Sequence, residues 1–167
     1  MKAKYYSFLV SLNTAQIAGK KAPHKAILLL SIIELVEKGV IQSNTFTLSE
    51  QLEETFKRLW KRYVGFSVLF QPKVATPFWH LQNEPFYNLK LNNGQTTNSF
   101  SSPYSVKRLR ENATVTIDEE LFQIMKDETA RAEMRTLLIS NYLQHNLSAN
   151  NKMSLISIIS LLFHFAA

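Results

Sequence analysis

The sequence predicts an α+β fold: a mostly helical single domain with a small antiparallel sheet in the middle of the chain. Apolar residues recur at helical spacing over much of the chain, and 46% of the 167 residues are apolar, which is ample for one core. Between Phe66 and Ser105 the composition changes, because this stretch holds four of the five prolines and five of the eleven phenylalanines but few charges. Such a segment favours short strands and turns.

Two helices are predicted before residue 40. Apolar residues at helical spacing predict an amphipathic helix from Ala3 to Ala18, which Gly19 ends. A second helix is predicted to begin at Pro23, since proline suits a first helical turn, and its apolar run to Val36 is too long for a strand. Lys38-Gly39 then supplies a cationic last turn and a stop. We expect this second helix to be the central helix of the core.

A short strand and a third helix are predicted next. The loosely alternating stretch from Val40 to Leu48 predicts a short strand or an extended link. Ser49 is predicted to cap a helix that Gly65 ends, with acidic residues early and basic residues late, as the helix dipole favours. Its four basic residues are more typical of a solvated helix face than of a contact surface: Lys57, Arg58, Lys61 and Arg62.

The aromatic middle segment is predicted to supply the sheet. Phe78–Leu81 and Phe86–Leu89 are interpreted as two short strands with a connection between them, and Asn92–Gly94 as a turn. The two aromatic residues of the first strand are expected in the core, which leaves Pro77 and His80 nearer the surface.

The rest of the chain is predicted to be helical, with a tail. Val106–Asn112 is a short basic helix or loop, Asp118 is predicted to cap a helix that runs to Lys126, and Thr129–His145 is predicted as one more helix. We therefore predict one domain over residues 1–145 and an apolar tail over residues 146–167.

The tail is not predicted to cross a membrane. Its apolar part, Met153 to Phe165, is interrupted by serines and is shorter than the ~20 residues that a bilayer span needs. It could pack on the domain, seal a homodimer or begin a longer element. The chain has no cysteine and does not open with a basic and then apolar leader, so a cytoplasmic location is expected.

Positive charge is concentrated in the first two thirds of the chain. Residues 1–110 carry 15 Lys and Arg against 6 Asp and Glu, a net charge of +9, whereas residues 111–167 carry 4 against 7, a net charge of −3. Clustered cations favour a polyanion partner, most often nucleic acid, because binding releases counterions. The alternative is a basic protein without such a partner, and composition alone does not separate the two.

No catalytic chemistry is predicted. An HNH-type nuclease needs a cluster of histidines on one ββα unit, and a magnesium nuclease needs paired acids near a lysine, but neither pattern occurs. The four histidines and two aspartates lie far apart in sequence: His24, His80, His145, His164, Asp118 and Asp127. The chain also lacks a glycine-rich phosphate loop and a Gly-x-Ser-x-Gly elbow. We predict a binding module with no catalytic residues, no metal and no cofactor.

The strongest functional signal is the segment from Lys20 to Lys25. It places Lys20, Lys21, His24 and Lys25 at or just before the start of a buried helix. Free backbone N–H groups and the positive end of the helix dipole favour an anion there, and phosphate is the natural candidate. A capping role alone would also explain His24, but the neighbouring lysines favour phosphate.

Three segments, taken in order, resemble a known family. They are Lys21–Lys25 ahead of a leucine run, Thr76–Leu81, and Ser105–Arg110 ahead of Asp118–Phe122. This order and spacing are similar to the sulfur-binding domain, the N-terminal reader of HNH-type restriction endonucleases that recognise phosphorothioate-modified DNA. The resemblance covers roughly residues 2–145 and does not include the nuclease half.

The resemblance implies a partner and a site. The partner would be double-stranded, phosphorothioate-modified DNA, in which sulfur replaces one non-bridging oxygen and is a weaker hydrogen-bond acceptor. An apolar pocket would take the sulfur while cations hold the phosphates. The implied sulfur pocket is Thr76, Pro77 and His80, and the implied DNA contacts are His24, Lys25 and Lys107 or Arg108. The basic clusters themselves add Lys20, Lys21 and Arg110 as predicted DNA contacts.

Two alternatives stay open at the level of the sequence. In the family the residue before the pocket proline is often aromatic and the residue three after it is often small, whereas this chain has Thr76 and His80. The domain could therefore bind unmodified or otherwise modified DNA. It could also be a protein-interaction or oligomerisation domain with a basic surface, or the reader part of an endonuclease whose nuclease half lies elsewhere.

Overall fold

The computed structural model describes residues 2–92 and 105–144. Within these ranges the elements follow in this order: α1 (Lys2–Val10), β1 (Gln16–Ile17), β2 (Lys20–Lys21), α2 (His24–Glu37), β3 (Thr45–Thr47), α3 (Glu50–Tyr63), α4 (Ala75–His80), a 3-10 turn (Leu81–Asn83), β4 (Tyr87–Leu91), α5 (Val106–Asn112), β5 (Ala113–Ile117), α6 (Glu119–Lys126) and α7 (Glu128–Tyr142). The predicted α+β, mostly helical fold is confirmed.

Helix α2 lies at the centre of the core because it is apolar on nearly every side. All residues from Lys25 to Ile33 are buried, and Glu34 is half-buried. The helix contacts α3, α4, α6 and α7. A helix that is apolar all round is stable only when other elements cover each face, so the predicted central helix is confirmed. Gly39, with φ of +68°, follows the Lys38 cap and ends it.

Three short strands form an antiparallel sheet in the order β3-β5-β4. Val115 of β5 lies opposite Phe46 on one side and opposite Leu89 on the other. Ala113, Val115 and Ile117 are buried while the threonines between them are half-buried, so one face of β5 packs on the core. The small sheet is confirmed, and its central strand had no counterpart among the predicted elements.

The predicted strand Phe78–Leu81 is wrong, because these residues lie in α4 and in the 3-10 turn that follows it. Both aromatic residues are buried, as expected, but they reach the core from a short helix that packs on α2. A short apolar run fits either structure, and Pro77 falls in the first turn of α4, where its missing N–H removes no helical hydrogen bond. The second predicted strand, Phe86–Leu89, is confirmed as β4, shifted by one or two residues.

The first helix is shorter than predicted because the chain turns into a hairpin after it. Helix α1 ends at Val10 rather than Ala18, and β1 then pairs antiparallel with β2. Only Ala18 and Gly19 remain in the turn, with φ of +51° and +74°. Positive φ at both central residues is the geometry of a type I′ hairpin turn, so Gly19 serves the turn and does not end a helix.

Replacing Ala18 by asparagine should stabilise the domain by about 0.5–1 kcal/mol, since both residues carry the Cβ that positive φ disfavours but only the short polar side chain of asparagine offsets this by local hydrogen bonds. Urea denaturation of Ala18→Asn against the parent protein measures the difference. Ala15→Asn, on the exposed approach to the same hairpin, is the matched control and should bring no gain. A loss of stability in Ala18→Asn would contradict the strained turn.

The remaining predicted helices are confirmed as α3, α5, α6 and α7. Ser49 caps α3 as predicted, since its hydroxyl accepts a hydrogen bond from the Leu52 N–H at 3.2 Å. The predicted side-chain cap by Asp118 is wrong in detail: its carboxylate instead accepts a hydrogen bond from the Tyr5 hydroxyl at 3.0 Å, which ties α1 to the start of α6. Helix α7 ends at Tyr142, so the end predicted at His145 is wrong by three residues. The predicted turn at 92–94 and the tail of residues 146–167 reach beyond the described residues.

Candidate nucleic-acid interface

The residues predicted from two distant motifs meet at one cleft, beside the N-terminal end of α2. Its walls are the first turn of α2, the β1–β2 hairpin, the segment of residues 69–73 and helix α4, and its volume is about 500 Å³. Five of the predicted site residues line this cleft: His24, Lys25, Thr76, Pro77 and His80. We call it the α2 cleft.

The α2 cleft combines positive charge with apolar surface. Lys25 and Lys73 line it together with two histidines, and no acidic residue is among the described residues that do so. The cap of α2 is Pro23, which provides no capping side chain for the first backbone N–H groups of the helix. Ala22 and Pro77 add apolar surface. This lining suits a group that is anionic on one side and poorly hydrated on the other.

His24 is held in one tautomer. Its Nε2 lies 2.8 Å from the Gln71 carbonyl oxygen, and because a carbonyl only accepts, Nε2 carries the proton of the neutral ring and Nδ1 does not. The ring centroid lies 4.8 Å from that of Trp60 and 5.9 Å from that of Phe70. Burial lowers the pKa of His24; the Gln71 hydrogen bond acts in the opposite sense, and the charge of Lys73 lowers the pKa further. His24 is therefore neutral at pH 7 in the free protein.

Lys25 forms a buried ion pair with Glu84. Each residue is only 7% exposed, and the Lys25 ammonium donates to the Glu84 Oε1 atom. The same oxygen accepts a hydrogen bond from the Asn13 N–H at 3.1 Å. Glu84 directly follows the 3-10 turn after α4, so one carboxylate joins that turn to α2 and to the segment that enters the hairpin. The predicted phosphate contact of Lys25 stays a prediction.

Helix α4 presents the three residues of the predicted sulfur pocket. Pro77 is buried on the domain and still lines the cleft, whereas Thr76 and His80 are exposed. Burial lowers the pKa of His80, and the charge of Lys25 lowers it further, so this imidazole is also neutral at pH 7. The pocket thus offers one apolar ring between a hydroxyl and a neutral imidazole.

The other five predicted contacts lie outside the α2 cleft. Lys20 and Lys21 form β2, and the Lys21 ammonium lies 5.0 Å from the centroid of the Tyr142 ring. Lys107 and Arg108 are exposed on α5. Whether these side chains contact DNA stays a prediction.

Arg110 makes contacts within the domain. Its guanidinium donates to the Glu53 carboxylate at 2.7 Å and to the Leu48 carbonyl at 3.0 Å, and it lies 3.5 Å from the Glu50 carboxylate. These bonds tie α5 to the start of α3 and compensate the charge of Arg110. Its predicted contact with DNA would have to compete with two carboxylates.

Sequence reasoning missed several lining residues. Lys73 is the clearest, and a signal existed, since it is the one basic residue between Arg62 and Lys90 and stands three positions before Thr76. The hairpin residue Ile17 also lines the cleft. The hairpin was not predicted, because Ala18-Gly19 is not among the dipeptides that usually form hairpin turns.

The described part of the chain holds no metal-binding cluster. Within residues 2–92 and 105–144, no three side chains of His, Cys, Asp or Glu are placed to hold an ion. Over those same residues, no helix is both long enough and apolar enough to cross a bilayer.

Two solved structures with a similar fold were both determined with DNA. The sulfur binding domain of ScoMcrA, complexed with phosphorothioated DNA, is similar with a TM-score of 0.64 and 17% identity, over 92% of this chain and 96% of that chain. The sulfur binding domain of SprMcrA, also complexed with phosphorothioated DNA, gives a TM-score of 0.61 and 16% identity, over 85% of each chain. At such identities the likeness establishes the fold. No curated protein sequence matches the chain.

The class of the chain is defined by its sequence, which matches a family of DNA-binding domains. Residues 3–152 match the family described as the ScoMcrA-like DNA sulfur-binding domain. The match spans most of the chain, so this protein belongs to that family. The resemblance first drawn from the three sequence motifs is confirmed.

Proposed function

We propose that this domain reads phosphorothioate-modified DNA and serves a modification-dependent restriction system as its recognition part. The observation that carries the proposal is the α2 cleft, in which the uncapped start of α2, the exposed Lys73 and the apolar ring of Pro77 line the same space. Membership in the sulfur-binding family and the solved relatives with phosphorothioated DNA support it.

The start of α2 would hold the phosphate. Its uncapped backbone N–H groups and the helix dipole attract an anion, and Lys73 adds an exposed cation that lines the same cleft. His24 can donate through Nδ1 once it is protonated. Lys25 lies beneath this wall, where its ammonium is paired with Glu84, so it adds little net charge to the cleft.

Helix α4 would take the sulfur. A sulfur atom on phosphorus accepts hydrogen bonds poorly and is polarizable, so contact with the Pro77 ring costs it little, whereas an oxygen there would lose a hydrogen bond to water. Ala22 lies across the cleft as further apolar surface. Thr76 and His80 flank the ring and make this pocket more polar than a purely apolar one.

Residues outside the cleft would contact neighbouring phosphates. Lys107 and Arg108 are exposed on α5, and Lys20 and Lys21 lie on the hairpin that borders the cleft. Phosphate contacts position a protein on the duplex and make its affinity fall with salt, but they do not discriminate sulfur. We propose this supporting role for the four side chains.

The decisive experiment compares two duplexes of one sequence that differ in a single phosphorothioate linkage. We expect the modified duplex to bind about tenfold more tightly, which corresponds to about 1.4 kcal/mol and lies within the cost of leaving one phosphate oxygen without a partner. Pro77→Glu should remove the difference, because its carboxylate repels the anion and replaces the apolar surface. Fluorescence anisotropy at physiological salt measures both affinities.

Two controls separate sulfur contact from general effects. Pro85→Ala changes an exposed proline outside the cleft and should keep the preference. The opposite diastereomer of the same linkage points its sulfur the other way and should bind like plain DNA. Equal affinity of the wild type for plain DNA and for both diastereomers would refute sulfur reading while leaving DNA binding intact.

A further inference from the structure

The turn after α3 presents two apolar side chains to solvent. Phe66 is 93% exposed and Val68 is 82% exposed, more than any other large apolar residue among those described. Between them, the Ser67 hydroxyl accepts hydrogen bonds from the N–H groups of Leu69 at 3.2 Å and Phe70 at 3.1 Å. The turn is therefore ordered by its own backbone, although its two apolar side chains are not buried. We call residues Phe66–Val68 the apolar tip.

The apolar tip borders a second cleft, which carries positive charge. This cleft has a volume of about 550 Å³, and Phe66 lines it together with Lys57 and Lys61, which are one helical turn apart on α3. Lys57 is paired with Glu53 at 2.5 Å, whereas Lys61 is exposed and forms no ion pair with any described residue. None of the described residues that line this cleft is acidic.

The two clefts adjoin each other. Phe70 and Gln71 line both, and the Gln71 carbonyl is the group that orients His24. The five residue-to-residue steps from Gln71 back to Phe66 can span at most about 18 Å. At 3.4 Å per step, this reach is about five base pairs of DNA.

We propose that the apolar tip is a second DNA-contact element. Phe66 and Val68 enter a groove of the duplex within about five base pairs of the linkage held in the α2 cleft, while Lys57 and Lys61 contact the phosphates beside that groove. Base edges and thymine methyl groups offer apolar surface to such side chains, and phosphates are what the lysines require. The proposal rests on the proposed function, because the α2 cleft must hold the DNA first.

A second copy of this chain fits the same surface less well. A two-fold symmetric contact brings each surface patch against itself or its close neighbours, so Lys57 and Lys61 of both copies would approach one another. Like charges at such short range are unfavourable, whereas a polyanion with apolar base edges complements both features of the tip.

The test uses the double variant Phe66→Ser/Val68→Ser and a duplex with the modified linkage at its centre and about ten base pairs on each side, twice the reach of the tip. The variant should lose about tenfold in affinity, equivalent to about 1.4 kcal/mol. The loss should be the same for plain and phosphorothioate duplexes, because the tip does not touch sulfur. When the flank that the tip contacts is shortened to about two base pairs, the affinity of the wild type should fall about tenfold, because the tip reaches about five base pairs. The affinity of the double variant should not change.

Two further variants frame the result. Val40→Ser removes another apolar residue, 42% exposed, beyond the far end of α2, and should bind like the wild type. Lys61→Gln should make the fall of log affinity with log salt shallower, by about one unit of slope. Thermal unfolding should be unchanged in all of them, since the side chains are exposed.

The outcomes are distinct. If the double variant and Lys61→Gln bind the long duplex like the wild type while sulfur preference persists, the tip proposal is overturned and the proposed function stands. If the wild type dimerises in light scattering and the double variant does not, with DNA affinity unchanged, the tip is a self-association surface and the proposal is again overturned. If the tip variants bind DNA more weakly but the wild type shows no preference for sulfur, the tip proposal is supported and only the sulfur reading is refuted.

Discussion

The Glu84→Ala variant is expected to lose about 3–5 kcal/mol of unfolding free energy, the usual cost of leaving one buried charge without its partner. Glu84 and Lys25 are each 7% exposed, so removal of the carboxylate leaves the Lys25 ammonium largely buried without its partner. The variant also leaves the Asn13 N–H without its acceptor. Urea denaturation followed by circular dichroism measures the change, which is a large part of the about 5–15 kcal/mol typical of a domain.

Two controls distinguish the buried charge from lost packing. The double variant Lys25→Met/Glu84→Leu replaces both ions by apolar residues and should be far less destabilised than Glu84→Ala, because no charge stays buried. Lys2→Ala breaks the exposed pair with Asp127, 3.5 Å apart, and should cost about 1 kcal/mol or less. A Glu84→Ala cost no greater than that of Lys2→Ala would refute the buried ion pair.

The Glu84 carboxylate also positions parts of the α2 cleft. Glu84 holds α2 through Lys25 and the hairpin approach through Asn13, and it follows directly on the turn after α4. Helix α2, the approach to the hairpin and the turn after α4 all contribute residues that line the α2 cleft. Glu84 is therefore a positioning residue, and the geometry between the phosphate wall and Pro77 depends on it.

The helical part of the fold and the two binding motifs could be predicted because their signals are local. A serine before an amphipathic run caps α3, and a continuous apolar run after Pro23 can only be a buried helix. The order of the three motifs along the chain was enough to indicate the family. By contrast, the apolar run at Phe78–Leu81 fits a strand or a helix equally well, and only its packing on α2 decides between them.

The remaining parts depend on contacts between residues that are distant in sequence. Strand β5 alternates buried and half-buried residues, a signal that was present but short. The pairing of Lys25 with Glu84 joins residues that nothing local connects, so Lys25 seemed as free as Lys20 and Lys21. Arg110 likewise belongs to a basic run by sequence and to the carboxylates of α3 by contact. Charge alone does not tell which cations are already paired.

The second large effect expected is a rise in DNA affinity as the pH falls, by up to about tenfold per pH unit for each proton taken up. In the free protein, burial and the charge of Lys73 hold the pKa of His24 below its usual 6.5, so the ring is neutral at pH 7. Its Nε2 proton is committed to the Gln71 carbonyl, so only protonation of Nδ1 makes His24 a donor for a phosphate. A bound phosphate raises the pKa again, and binding therefore takes up a proton.

The sign for stability is opposite to the sign for binding. Because the folded-state pKa of His24 lies below the unfolded value of 6.5, the unfolded chain binds the proton more tightly. Stability without DNA is therefore complete above pH 6.5 and declines as the pH falls towards the folded-state pKa. DNA affinity rises as the pH falls from the pKa of His24 in the complex to its lower pKa in the free protein, and it levels off below the latter.

The His24→Gln variant should lose the part of the pH dependence that belongs to His24, so its DNA affinity should rise less between pH 8 and pH 5.5 than that of the wild type. His80 titrates in the same cleft, and burial and Lys25 also lower its pKa, so His80→Gln is the matched control and should keep the part of the pH dependence that belongs to His24. Lys73→Gln should move the window to higher pH, because it removes a charge that lowers the pKa of His24. An unchanged slope in His24→Gln would show that the phosphate is held by the backbone of α2 and its lysines alone, without proton uptake at this ring.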